Sequence, residues 1–130
     1  MPFGTATVFT NNGRAIVTNR IIGAGTEPRW IGLGVGATGA ARTAAVADTA
    51  LSSELSEGRA VGTGTRVTTS VTNDTYQTVG TITASGSRAI DEAATFDALS
   101  AGGIAISATF PVVNLLSGDS LQITAKVQFA

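Results

Sequence analysis

The residues able to do chemistry are few. The chain of 130 residues has neither histidine nor cysteine, so the commonest general base, the commonest metal ligand and the thiolate nucleophile are all missing. Serine and threonine are plentiful, but no histidine stands ready to take their protons, and Lys126 is the single lysine. Asp91 and Glu92, with Asp97 nearby, are the carboxylates that suggest acid–base work or calcium. Adjacent strand residues point to opposite faces, so the two do not share one site, and no EF-hand spacing surrounds them. A solvated charge, or a hydrogen bond to a neighbouring loop, is the expected role. Gly34-Val35-Gly36-Ala37-Thr38-Gly39 matches the G-x-G-x-x-G dinucleotide fingerprint. That fingerprint needs a strand before it and a helix opening after it, and Ala40–Val46 is a poor helix start, so a flexible or partner-contacting loop is expected instead. Trp30 beside Arg29 is a candidate ligand platform, although such a tryptophan more often serves core or interface packing. The sequon Asn73-Asp74-Thr75 has meaning only in a secreted chain. No catalytic, metal or cofactor-binding residue emerges, and no enzyme is expected.

Composition points the same way. Net charge is -1, from 8 basic and 9 acidic residues scattered singly, so no basic patch invites nucleic acid. The charged share, 13%, is about half of what is usual. A free monomer normally keeps more charge on its surface, so a surface partly covered by copies of itself or by a partner is expected. The opening MPFGTATVFT lacks the basic and apolar regions of a signal peptide, and no run approaches the apolar length of a membrane span. Synthesis in soluble form in the cytoplasm of the cell that makes it is expected.

The elements that position these residues read as strands. Ser117–Phe129 opens with a turn and then alternates, with Leu121, Ile123, Ala125, Val127 and Phe129 on one face and Gln122, Thr124, Lys126 and Gln128 on the other. A period of 2 defines a half-buried strand, with Lys126 as an edge or surface charge. Phe3–Thr10, Asn11-Asn12-Gly13 and Arg14–Ile22 read as strand, Asn-Gly turn and return strand, a weakly sided hairpin or arm. Arg29–Gly34 is a short strand. Asp48–Leu55 reads as a brief helix, with Asp48 as N-cap and Leu51 and Leu55 sharing a face. Thr65–Val71, Thr75–Ala84, Arg88–Ala98 and Ile104–Phe110 follow as strands, with a bulge expected at Gly80 and a stop at Pro111. The fold expected is all-β: a jelly roll or β-sandwich of about eight strands with one short helix near 48–56. It forms one domain, with residues 1–22 as an N-terminal hairpin or arm and 23–130 as the sandwich.

Several short segments, in this order, carry a family resemblance: the Gly-rich stretch Trp30–Gly39, the acidic-Thr-x-Leu-x-x-Glu stretch Asp48–Glu54, Arg59, the segment Ile90–Asp97 and Gly118–Ile123. With them the chain resembles small β-rich bacteriophage virion proteins that decorate or cement the capsid, or sit among tail-associated structural proteins. It departs from that pattern at Ala94-Thr95, where a Gly-Leu pair is expected before Phe96, and its first 22 residues match none of it. The resemblance implies a structural protein on the outer capsid surface of the virion, binding the lattice of the major capsid protein and associating with itself as a homotrimer. The alternative it implies is a tail-associated fibre or baseplate module that binds a receptor, with Trp30 or Tyr76 lining a sugar site. Partner contacts are expected in the N-terminal hairpin and the Arg29–Arg42 region, at Phe3, Val8, Phe9, Arg14, Arg20, Arg29, Trp30 and Arg42. No cofactor, nucleic acid or membrane enters this picture.

Overall fold

The computed structural model describes residues 6–36 and 42–129. In chain order the elements are β1 (Ala6–Phe9), α1 (Asn11–Ile21), β2 (Trp30–Val35), β3 (Ala60–Val61), β4 (Thr63–Val67), β5 (Thr75–Thr83), β6 (Arg88–Phe96), β7 (Ile104–Leu115) and β8 (Ser120–Gln128). Two antiparallel sheets form, one ordered β1-β7-β6-β2-β3 and the other β4-β5-β8. They face each other as a β-sandwich. β8 keeps the alternation of its sequence: Ile123 and Ala125 are buried, Leu121 and Val127 half-buried, and the four polar residues between and beyond them are exposed. Ile31, Leu33, Ile90, Ala93, Ala108 and Phe110 meet Ile82, Ala84 and Ile123 between the sheets. Each large apolar side chain buried there contributes about 1.5–3 kcal/mol.

Four local expectations fail, each for a tertiary reason. The hairpin expected within residues 1–22 is not formed: β1 pairs with β7, and the Asn-Gly pair lies inside α1. Thr10 caps this helix, its hydroxyl accepting from the Gly13 N–H at 2.9 Å while donating to the Ile104 carbonyl. Gly13 serves close approach here, since a Cβ would stand 2.7 Å from the Ala105 carbonyl oxygen and against the Phe9 ring. At the other end Gly23 takes φ 78° and donates to Arg20 O at 3.1 Å, and Ala24 N donates to Asn19 O at 2.8 Å, the paired bonds of a Schellman stop. Among the described residues the helix therefore lies at 11–21, not near 48–56.

Asp48 is no N-cap. Residues 53–55 instead run beside β2, with Val35 N donating to Ser53 O at 3.0 Å and Leu55 N to Leu33 O at 2.9 Å. Backbone groups satisfied by a sheet edge have no need of a helix. Leu51 and Leu55 are both buried, yet in different clusters.

Gly80 makes no bulge, because β5 and β8 pair without a break from Thr75↔Gln128 to Thr83↔Ser120. Its missing side chain makes room for Ile31 of the facing sheet, whose Cδ1 would lie 2.8 Å from an added Cβ. Pro111 does not end β7, which continues to Leu115. The β6–β7 register shifts between Ile90 and Glu92, leaving Pro111 in the bulge, where the ladder asks no donor of it.

Candidate functional site

Two surfaces of the sandwich gather the residues of interest. The first is the outer face of the five-stranded sheet, covered by the chain from Arg42 to Arg59. Strand pairing puts Glu92, Ala94 and Phe96 of β6 on this face, beside Gly32 and Gly34 of β2. The two glycines leave room for their neighbours: a Cβ on Gly34 would collide with the Glu92 side chain, and one on Gly32 would lie 3.0 Å from the Phe96 ring. Gly34 of the G-x-G-x-x-G match is thus a packing position, and residues 37–41, where the match ends, lie outside the described residues.

Glu92 is completely buried. Arg42 Nη1 donates to its Oε2 at 2.8 Å and Ser53 N to its Oε1 at 3.2 Å. The other arm of Arg42 holds Asp48, whose carboxylate also accepts from Ala45 N at 3.0 Å and from the Ser107 hydroxyl at 2.8 Å. Charges taken out of water need this degree of pairing. Asp91 sits in the β6–β7 bulge, also buried. So the loop hydrogen bond expected of the Asp91-Glu92 pair is made by Glu92, while the solvated charge is absent. Next to this cluster Leu51, Ala94, Phe96, Ile104 and Trp30 form a small second core. The arrangement clamps a long connection to a sheet, with Arg42 bridging the carboxylates of Glu92 and Asp48.

The second surface is an apolar groove of about 330 Å³ at the end of the sandwich closed by α1. Ile16, Val17 and Ile21 of α1 form one wall, and Val127 and Phe129 at the end of β8 form the other. The Phe9 and Phe129 rings meet edge to face, 6.3 Å between centroids. Ile21, Ile22 and Phe129 are 79%, 75% and 51% exposed. At the groove's side the Tyr76 hydroxyl donates to Glu27 at 2.9 Å. Burial, with the Glu27 carboxylate next in effect, pushes the Tyr76 hydroxyl well above its ordinary pKa, so it stays a neutral donor.

The expected contact residues divide between these surfaces. Phe9 and Arg20 line the groove, Arg20 also donating to Gly25 O at 3.0 Å. Arg14 is exposed on α1 and donates to its own Asn11 at 3.1 Å. Val8 is half-buried on β1 opposite Ser107, and Arg29 is exposed just before β2. Trp30 packs on the outer core, and the Arg42 guanidinium is committed to two carboxylates. Phe3 lies outside the described residues. Ile21, Ile22 and Pro28 were not singled out from the sequence as contact residues, and Phe129, expected on the inward face of the last strand, instead lies exposed just past the end of β8. For Ile21 and Ile22 the signal was an Ile-Ile pair directly before a glycine.

Among the described residues, no group of three or more histidine, cysteine, aspartate or glutamate side chains is placed to hold a metal ion, and no helix is long and apolar enough to cross a membrane. No protein-family model, no curated protein and no solved structure matches the chain. The class defined by the fold is an all-β sandwich with one short helix.

Proposed function

We propose that this chain is a structural protein of a bacteriophage particle, decorating the capsid and cementing it by binding the lattice of the major capsid protein. The observation that carries the proposal is the apolar groove beside α1, whose lining residues Ile21 and Phe129 are exposed, with Ile22 exposed next to Ile21 along the chain. Large apolar side chains gathered on a surface mark a protein–protein contact, since each remains in water at a cost until a partner covers it. The low charge of the chain and the family resemblance of its ordered segments support the same reading. A lattice multiplies modest single-site affinity through effective concentration, so one shallow groove per copy suffices.

The tail-associated reading keeps one observation of its own: Tyr76 and Glu27 place an aromatic ring and an acid side by side at the groove, a pairing that suits a sugar. Copy number separates the two. The test is the molar ratio of this chain to the major capsid protein in purified particles, followed by rebinding of an Ile21→Glu/Ile22→Glu variant to shells stripped of the chain. A simple lattice ratio, with rebinding lost in the variant, is expected. A handful of copies moves the chain to the tail, and absence from particles removes both readings.

A further inference from the structure

The three-stranded sheet faces a five-stranded one, and its last strand is unfinished. β8 is 9 residues long, whereas the other terminal strands, β1, β3 and β4, have 4, 2 and 5. It has no proline, no bulge in its pairing with β5 and one charge, Lys126. These are few of the devices that normally protect an edge. No described strand lies beyond it.

The direction of its free groups follows from the flanking bonds. Ala84 N donates to Asp119 O at 2.8 Å, and Phe129 N donates to Asp74 O at 2.9 Å. Counting in steps of two between them, Leu121, Ile123, Ala125 and Val127 turn their backbone groups to β5. Ser120, Gln122, Thr124, Lys126 and Gln128 turn theirs outward, a regular row of N–H and C=O groups along the free edge.

Directly under this edge the sandwich is open. A cleft of about 590 Å³ has β8 residues Ile123 and Ala125 as its roof, Thr124 and Lys126 at its rim, and Thr95, Ile106, Ala108 and Thr7 as its floor. The floor runs out beneath the rim to Thr7 on β1, the outermost strand of the larger sheet. One more strand beside β8 would satisfy the edge and roof this floor.

We propose that β8 is an acceptor edge for an extended segment of another protein chain, added as a fourth strand of the smaller sheet. Backbone hydrogen bonds to the even-numbered positions give affinity, and small apolar side chains at alternate positions of the incoming segment fill the cleft. An acidic residue on its outer face answers Lys126. A second copy of the whole sandwich suits the edge poorly. Pairing β8 with β8 about a two-fold would drive the two overhanging five-stranded sheets into each other, whereas a lone segment carries no such sheet. This proposal stands apart from the capsid reading, since any protein offering such a segment fits.

The test uses the intact chain and a short capped peptide alternating valine with threonine between terminal glutamates. On saturation the amides of Gln122, Thr124 and Lys126 are expected to shift and to gain protection from exchange, while those of Ile123 and Ala125 are protected from the start. Thr124→Pro removes an outward N–H that β5 does not use, and is expected to weaken binding about tenfold or more. The same peptide N-methylated on its edge-facing amides is expected not to bind the unaltered protein, a control that holds even if the proline variant misfolds. Shifts confined to the groove beside α1, or equal binding of the N-methylated peptide, overturn the proposal. So does a concentration-dependent dimer that Thr124→Pro dissolves, which would put a second copy on the edge.

Discussion

The guanidinium carbon of Arg59 stands 3.3 Å from the centroid of the Phe96 ring. The same group is gripped by Glu54, Nε to Oε2 at 2.8 Å and Nη2 to Oε1 at 3.1 Å. Its remaining nitrogen donates to the carbonyls of Ala98 and Ala101 at 2.9 and 2.7 Å. One side chain, 7% exposed, thus joins the covering segment, the β6–β7 turn and the outer face of the sheet. Lysine has neither the planar fork nor the stacking face to do this. Arg59→Lys is expected to cost about 2 kcal/mol or more, read by urea denaturation. A loss under about 0.5 kcal/mol, the scale of an ordinary surface substitution, would show that the clamp adds nothing.

Glu92 and Arg42 make the sharper test, because the Glu92 carboxylate is completely buried. Arg42→Ala leaves a carboxylate buried on β6 with only the Ser53 N–H, and is expected to cost about 3–5 kcal/mol. Adding Glu92→Gln removes the stranded charge, so the double variant is expected to be more stable than Arg42→Ala alone. If the two losses simply add, the pair is not coupled.

Gly13→Ala sets helix propensity against packing. Alanine in a helix interior is favoured over glycine by about 1 kcal/mol. The new Cβ, however, meets the backbone oxygen of Ala105 at 2.7 Å and the Phe9 ring at 2.9 Å. Overpacking against fixed backbone costs about 1–3 kcal/mol, so packing wins and the variant is expected to melt lower. A higher melting temperature would mean that α1 can lift off β7 at little cost.

The acid limb of stability should carry the signature of Glu57. The Ser85 N–H foremost, with the Ser85 hydroxyl and Arg88 also donating, holds its carboxyl down at about 2 from an ordinary 4.5. A pKa lowered by folding stabilises above the unfolded value, and that contribution is lost as pH falls through the folded one. The melting-temperature gap between the wild type and Glu57→Gln is therefore expected to be full above pH 4.5 and to close toward pH 2. Asp74, held well below the usual carboxylate range by the N–H groups of Val71, Thr69 and Ser70, leaves some acid sensitivity in the variant. A gap independent of pH would remove Glu57 from this role.

Much of the sandwich was legible because its strands carry their own period. β8 could be drawn from Leu121, Ile123, Ala125 and Val127 alone, and β5, β6 and the first part of β7 came close behind. The helix was hidden by β-branched Ile16, Val17, Thr18 and Ile21, which read as strand, although its cap at Thr10 and its glycine stop at Gly23 stand in the open. The outer-face cluster was legible in pieces. Trp30, Leu51, Glu54, Arg59, Glu92 and Phe96 all fall within short segments picked out in the sequence, yet they meet only across the sheet. The groove was missed, since its walls come from α1 and the far end of β8.

The sequence alone determined the class of fold, because alternation is a local property: whichever partner a strand finds, its apolar side must turn inward. It also determined the scarcity of chemistry, since a chain without histidine or cysteine brings few groups to an active site. Tertiary structure decided what glycines, prolines and charges are for. Gly13 and Gly80 became sites of close approach, Pro111 settled into a bulge, and Asp48 became an ion-pair partner rather than a cap. The outcomes at Gly13, Gly80 and Asp48 depend on an atom from a distant segment, Ala105 O, Ile31 Cδ1 or the Ser107 hydroxyl, and the distance to that atom exists only once the sheets have closed.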